Sequence, residues 1–355
     1  MPLPRPSRLG TCAATVATVL TLTACSGTAP GSGGDGAGAA PGSGLDVMTS
    51  LYPLQYVAER VGGEHVSVSP ITPPAGDAHN VELSPREVAD LEAADLVVYL
   101  SDFQPAVDDA VSVTGAQALD VVAEADLHTS DELTGGDAHD DGEHAGDDAQ
   151  TGGDGHADGG HADDVGHADD GGDHAGDGHD HGDGALDPHF WLDPARLADV
   201  TARVADELAS LDPDHAEDFR TAAEGLVADL DAIGADYAAG LATCAAGTAV
   251  VTHEAYGYLL APFGLHQEGL AGIDPESEPS PARLAEIADV VAEHDVSTIF
   301  VESALDADVA QTLADDLGIT TAVLDPLERQ QDEGADYLDV MRANLAALRT
   351  ALECA

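Results

Sequence analysis

The chain has 355 residues and a mass of 36.0 kDa, with 68 acidic side chains against 11 basic ones, all arginine, and a formal net charge of −57. That field excludes nucleic acid and anionic membrane surfaces as electrostatic partners and makes cations the natural ones. Aromatics are only 4% of the chain, but Ala, Val and Leu hold the apolar share at 43%, enough for ordinary cores in two domains.

In chain order, Arg5 and Arg8 precede an apolar stretch from Leu9 to Leu22 that ends in Leu22-Thr23-Ala24-Cys25. A basic start, a short apolar run and small residues describe a secretory signal peptide over residues 1–24, too short for a membrane-spanning helix, which needs roughly 20 apolar residues. The ending resembles a bacterial lipobox, which implies cleavage before Cys25 and lipidation of its thiol. Residues 25–44 are rich in Gly, Ser, Ala and Pro and read as a flexible tether. Outside the cytoplasm an oxidising compartment permits Cys244 and Cys354 to pair, although they could equally be two buried thiols.

Short β-branched runs at 47–51, 66–71, 95–100, 249–252, 298–301 and 320–324 predict strands. Helical starts lie between them. Ser84-Pro85-Arg86-Glu87 has the form of a capping box with proline at the first helical position. Asp193-Pro194, Asp212-Pro213, Ser280-Pro281 and Asp325-Pro326 repeat the cap-then-proline pattern. The alternation predicts an α/β fold of parallel, doubly wound sheets, whose ligands sit at the carboxyl ends of strands. Over about 214–242, Phe219, Ala223, Leu226, Leu230, Ile233, Tyr237 and Leu241 step by three or four and mark one buried helix face. The expected layout is an N-terminal lobe over 45–212, a linking helix over 213–242 and a C-terminal lobe over 243–355.

Residues 134–185 differ in kind: 16 acids, 8 histidines and 16 glycines, with Val165 the only large apolar residue. Such a composition cannot build a core and predicts a disordered insertion. Its His139, His144, His156, His161, His167, His174, His179 and His181 predict several weak transition-metal sites.

Elsewhere three histidines stand out by position. His79 lies between a strand and the capped helix at Ser84, His189 lies in Asp187-Pro188-His189-Phe190-Trp191-Leu192-Asp193-Pro194, and His253 directly follows the strand at 249–252. Asp325 likewise closes the strand at 320–324. Two donors from each lobe would meet in an interlobe cleft, and three imidazoles with one carboxylate suit zinc. Glu82 and Glu302 lie close enough in sequence to compete as the fourth donor. Phe190 and Trp191 are expected to pack beneath His189, while His65, His215, His266 and His294 are expected at the surface.

The segments GDAHNVELSP at 76–85, ADLVVYL at 94–100, DPHFWLDP at 187–194, THEAYGYL at 252–259, EPSPARL at 278–284, IFVES at 299–303 and LDPL at 324–327 together resemble one family. The chain is similar to the metal-binding subunits of bacterial ABC importers, the zinc and manganese solute-binding proteins with two lobes and a rigid linking helix. The resemblance implies that His79, His189, His253 and Asp325 ligate the metal. Manganese-type relatives usually carry Glu at the place of His253, so the imidazole places Zn²⁺ ahead of Mn²⁺, and the histidine-rich insertion points the same way. Ala78 stands where relatives often have Pro, which leaves the His79 loop less rigid. The implied function is an extracytoplasmic lipoprotein, anchored by Cys25 to the outer face of the bacterial membrane, which delivers Zn²⁺ as a monomer to an ABC permease. Its alternatives are a manganese-specific member of the same family and a metal-buffering or adhesin lipoprotein. No catalysis is expected. His253-Glu254 begins like the HExxH signature of zinc hydrolases, but position 257 is Gly, so the second histidine is missing.

Overall fold

A computed structural model describes residues 44–73, 76–134, 186–303, 308–332 and 334–355. The signal, the tether with Cys25 and the histidines of the insertion lie outside the described residues. The first lobe runs β1 (Leu45–Thr49), α1 (Tyr52–Gly62), β2 (Val66–Pro70), α2 (Pro85–Ala93), β3 (Leu96–Tyr99), α3 (Pro105–Thr114) and β4 (Ala118–Asp120). Two short helices follow, α4 (Val122–Ala125) and α5 (Ser130–Thr134). After the insertion come α6 (Pro194–Leu211) and the long α7 (Ala216–Gly240). The second lobe runs β5 (Thr248–Val251), α8 (Gly257–Leu260), β6 (His266–Gly269), α9 (Pro281–Glu293), β7 (Thr298–Val301), α10 (Asp308–Leu317), β8 (Thr320–Val323) and α11 (Tyr337–Ala351).

Both sheets are parallel and share one topology, β2-β1-β3-β4 and β6-β5-β7-β8. In each, strand order reverses beside the first strand, so a crevice opens beyond the carboxyl ends of β1 and β3, and again beyond β5 and β7. The central strands β5 and β7 are buried throughout, as helices on both faces require. The capping box forms: Glu87 N–H donates to Ser84 Oγ at 3.3 Å, and Ser84 N–H donates to Glu87 Oε2 at 2.7 Å.

One large core runs through α1, α6, α7 and α11 and takes in buried residues of both lobes, among them Tyr56, Trp191, Tyr237, Tyr256 and Tyr337. A smaller cluster under each sheet covers its other face, around Val97 in the first lobe and Ile299 in the second. The predicted stripe of α7 is buried in full, and Tyr237 Oη donates to Met341 O at 2.8 Å, fastening α7 to α11. At the same junction a disulfide joins Cys244 to Cys354 across 110 residues of sequence.

The cap-then-proline pattern misleads at two places. Asp193 and Ser280 cap helices, but Asp212-Pro213 opens only the short 3-10 turn Pro213–His215, with no side-chain cap, and Asp325-Pro326 opens no helix. After Asp325-Pro326 the next helix waits for Tyr337, capped by Asp336. Leu327 N–H donates to Asp325 Oδ1 at 2.8 Å, and Asn344 grips Asp325 by its N–H (2.9 Å) and its carbonyl (2.7 Å). Leu327 then takes a left-handed φ of 60°, which a helix cannot use.

Candidate metal centre

Each crevice contributes loops to one interlobe cluster. His189 sits on the turn before α6. Its own N–H and its Nδ1–H both donate to Oδ1 of the buried Asp187, at 2.9 and 2.8 Å. Behind it, Trp191 Nε1–H donates to Pro326 O at 2.8 Å, and Tyr337 Oη donates to Trp191 O at 2.6 Å. Phe190 and Trp191 are fully buried; Trp191 packs edge-on against the ring of His189, with centroids 5.2 Å apart, and Phe190 packs against Trp191 in turn. His253 follows β5, and its Nδ1–H donates to Glu302 Oε1, at the end of β7, at 2.6 Å. His79 lies on the irregular stretch between β2 and α2, where its N–H donates to Asp77 Oδ1 at 2.8 Å.

The structure brings His79, His189 and His253 together. Their Nε2 atoms lie 3.1, 3.3 and 3.3 Å from a single oxygen, Oε1 of Glu328. All four ligand atoms fall within 4.8 Å of one another. The side chains are 11%, 0%, 1% and 10% exposed in that order, so only His79 and Glu328 meet solvent at all.

Asp325 is not a member of the group. Its Oδ1 is engaged by Leu327 N–H, and the turn it makes is what carries Glu328, three residues on, to the imidazoles. Burial pushes the Asp325 carboxyl up to about 6, and the neighbouring charges of Glu328 and Glu302 add to this. Of the other two candidate donors, Glu82 is exposed and outside the cluster, and Glu302 holds the far nitrogen of His253. Sequence reasoning missed Glu328. The available signal was a carboxylate within one turn of a strand end that already carried an expected ligand.

The donor chemistry fits a metal cation. Because Nδ1–H of His189 and of His253 is committed to a carboxylate, each neutral ring presents its Nε2 lone pair to the centre. Two lone pairs and a carboxylate oxygen then face one another in a buried space, which is repulsive until a cation enters. The buried Nε2 of His253 has no aligned hydrogen-bond partner, although Glu328 Oε1 is near. Without metal, protons answer the same demand. Burial opposes charge on His253, but Glu302 and Glu328 outweigh it and push the ring up to about 10. Burial likewise opposes charge on Glu328, yet the three imidazoles hold its carboxyl well below the usual carboxylate range. Three imidazoles and one carboxylate are a zinc-type set. A cavity of about 540 Å³ opens beside His79, walled by Phe103, Leu127 and Pro188 with Asp102 and Asp274 at its edge.

Comparison with known proteins finds zinc-binding relatives. The zinc-binding lipoprotein AdcA of Streptococcus pneumoniae is 28% identical over 313 residues, which are 86% of this chain and 55% of that protein. The chain therefore spans about half the length of the AdcA relatives it matches. The high-affinity zinc uptake system protein ZnuA of Bacillus subtilis is 28% identical over 319 residues, 88% of each chain. Among solved structures, Zn(II)-bound AdcA of S. pneumoniae superposes with a TM-score of 0.66 at 25% identity, covering 88% of this chain and 58% of that one. A mutant of the laminin-binding adhesin Lmb of Streptococcus agalactiae gives 0.68 at 27% identity, covering 87% and 100%. The model of the family described as zinc-uptake complex component A, periplasmic, matches residues 47–351, and the chain belongs to that ZnuA family.

Proposed function

We propose that this chain captures Zn²⁺ outside the cytoplasmic membrane and delivers it to the permease of an ABC importer, with zinc as cargo and no reaction catalysed. The observation that carries this reading is the convergence of the His79, His189 and His253 Nε2 atoms on one oxygen of Glu328. Four protein donors replace the water shell of the ion, and three imidazoles favour zinc over manganese in the Irving–Williams order. A closed set of four donors leaves no open position for a reacting water, which separates this centre from a hydrolase. Delivery requires the ion to leave intact, so tight but proton-sensitive binding suits a carrier. We place the protein at the outer face of the membrane, held there by lipid on Cys25, and as a monomer.

The test is metal retention by protein prepared without a histidine tag or a metal column. After stripping and reloading with equal Zn²⁺ and Mn²⁺, one tightly held zinc per chain and no retained manganese are expected. Equal retention of both ions in competition dialysis would overturn the zinc assignment.

A further inference from the structure

Three of the four donors have visible anchors. Asp187 holds the ring of His189, Glu302 holds the ring of His253, and Trp191 with Asn344 grips the turn that carries Glu328. Among the described residues no hydrogen bond reaches Nδ1 of His79. Besides the Asp77 contact to its own N–H, its restraint comes from the loop after β3, at the crevice of the first sheet. Phe103 packs edge-on against the His79 ring, with centroids 4.9 Å apart. Next to it Gln104, 1% exposed, donates from Nε2 to the carbonyl of Ala78, the residue immediately before His79, at 2.7 Å.

The same amide nitrogen lies 3.0 Å from Thr72 Oγ1 and 3.3 Å from Ser50 O, and Thr72 Oγ1 itself donates to Ser50 O at 2.6 Å. With the threonine hydrogen committed, all three neighbours of Nε2 act as acceptors. Only the NH₂ end of the amide can face them, which fixes the orientation of the side chain. Gln104 therefore ties together the residue after β1, the stretch after β2 and the peptide that presents His79. It is itself held as the residue that opens α3, where its carbonyl accepts from Val107 N–H at 2.9 Å and Asp108 N–H at 3.1 Å. The buried Ala78 peptide would otherwise lose its donor inside the protein, where an unmatched carbonyl is costly.

We propose that Gln104 is the positioning residue for His79, and that the lifetime of bound zinc is set through it. The proposal rests on the zinc reading above. His79 is the only imidazole of the three that lines the 540 Å³ cavity, so an ion leaving by that side parts from His79 first. A His79 held loosely gives up its ion sooner, while capture, which begins from the open cavity, changes less.

The test is a double-mutant cycle on the full chain. Gln104→Met keeps the length and removes the donor. It is expected to weaken zinc by about 10–100-fold, the range for residues that orient metal ligands, with most of the change in the dissociation rate measured by chelator capture. Substituted Co²⁺ should lose visible absorption intensity as the tetrahedral set loosens. In a His79→Ala background the same Gln104→Met change should alter zinc affinity by less than about twofold, because the pair acts as one unit. Equal losses in both backgrounds would show a general role in folding and overturn the proposal, as would no loss with His79 intact. Should Gln104→Met fail to fold, Thr72→Val removes one hydroxyl at nearly constant shape and should show a smaller loss with the same dependence on His79. Failure of the unmodified chain to bind zinc tightly would overturn the functional reading and this proposal together, whereas a failed cycle removes only the role of Gln104.

Discussion

Asp325 and Glu328 are two acids of similar burial, three residues apart, and only the second reaches the imidazoles. The difference lies in what each carboxylate already holds. Asp325 closes a turn on Leu327 N–H, while Glu328, with one more methylene, extends from the far side of that turn. Glu328→Ala should therefore weaken zinc by more than about 100-fold, beyond the loss typical of residues that merely orient ligands. Asp325→Asn keeps an acceptor for Leu327 and should cost less than about tenfold, within what an orienting contact supplies. The reverse ranking in chelator competition would return the ligand role to Asp325. A second expectation concerns protons. With its ring pushed up to about 10, His253 carries a proton at neutral pH in the metal-free protein, and zinc must displace it. Affinity should rise with pH up to about 10 and fall on acidification, by about tenfold per pH unit for each proton displaced. Calorimetry at pH 7.5 in two buffers of different ionisation enthalpy should report at least one proton released; identical heats would refute it. The positions of the three histidines are legible in sequence because each lies beside a strand end or a helix cap. Glu328 is not, since what selects it is the path of the chain through a left-handed Leu327, and no local pattern announces a leucine at positive φ.

At the scale of elements, the centre is a meeting of strand ends. His253 follows β5, Glu302 follows β7, Glu328 follows β8, and Gln104 lies beyond β3. Helices and central strands follow patterns that sequence displays: the α7 stripe is read to within a turn, and β3, β5 and β7 are β-branched runs. The edge strands β4 and β6 escape detection because Ala118–Asp120 and His266–Gly269 contain no β-branched residue, and their pairing is imposed by neighbours. The two lobes meet through Trp191, whose indole N–H donates to Pro326 O while its own carbonyl accepts from Tyr337. Trp191→Phe retains a ring but leaves a buried carbonyl unmatched, so it should destabilise the fold by about 1–3 kcal/mol. Because Pro326 belongs to the turn that aims Glu328, the same change should also weaken zinc. Urea unfolding of the metal-free protein and chelator competition read the two effects separately, and a destabilised variant with unchanged zinc affinity would show that this contact does not aim Glu328.

The whole molecule combines one ordered centre with a long acidic, histidine-rich insertion, and its geometry says where the two join. The insertion leaves after α5 and returns at Leu186, which bridges to Thr129, while Asp187 N–H donates to His128 O at 2.8 Å. Tyr258 Oη donates to Asp187 O at 2.9 Å from the second lobe. Asp187 is also the residue that orients His189, so a deletion must spare Leu186 and Asp187 to be informative. The two ends are already fastened by these contacts, and loop-closure entropy grows only slowly with length, so replacing residues 136–184 by a short Gly-Ser linker should leave the fold intact. Eight histidines and sixteen acids within 134–185 are expected to add several weaker sites and a field that concentrates cations, an effect that fades with salt. The replacement should thus lower zinc stoichiometry towards one per chain, leave the tight affinity within a few-fold, and flatten the salt dependence of zinc capture. His253→Ala in the intact chain should do the opposite, losing the tight event and keeping the weak ones. Calorimetric titration of both variants decides between one centre with an accessory insertion and a shared site. If the linker variant loses tight binding, a donor from the insertion completes the centre, and the set of His79, His189, His253 and Glu328 is not sufficient.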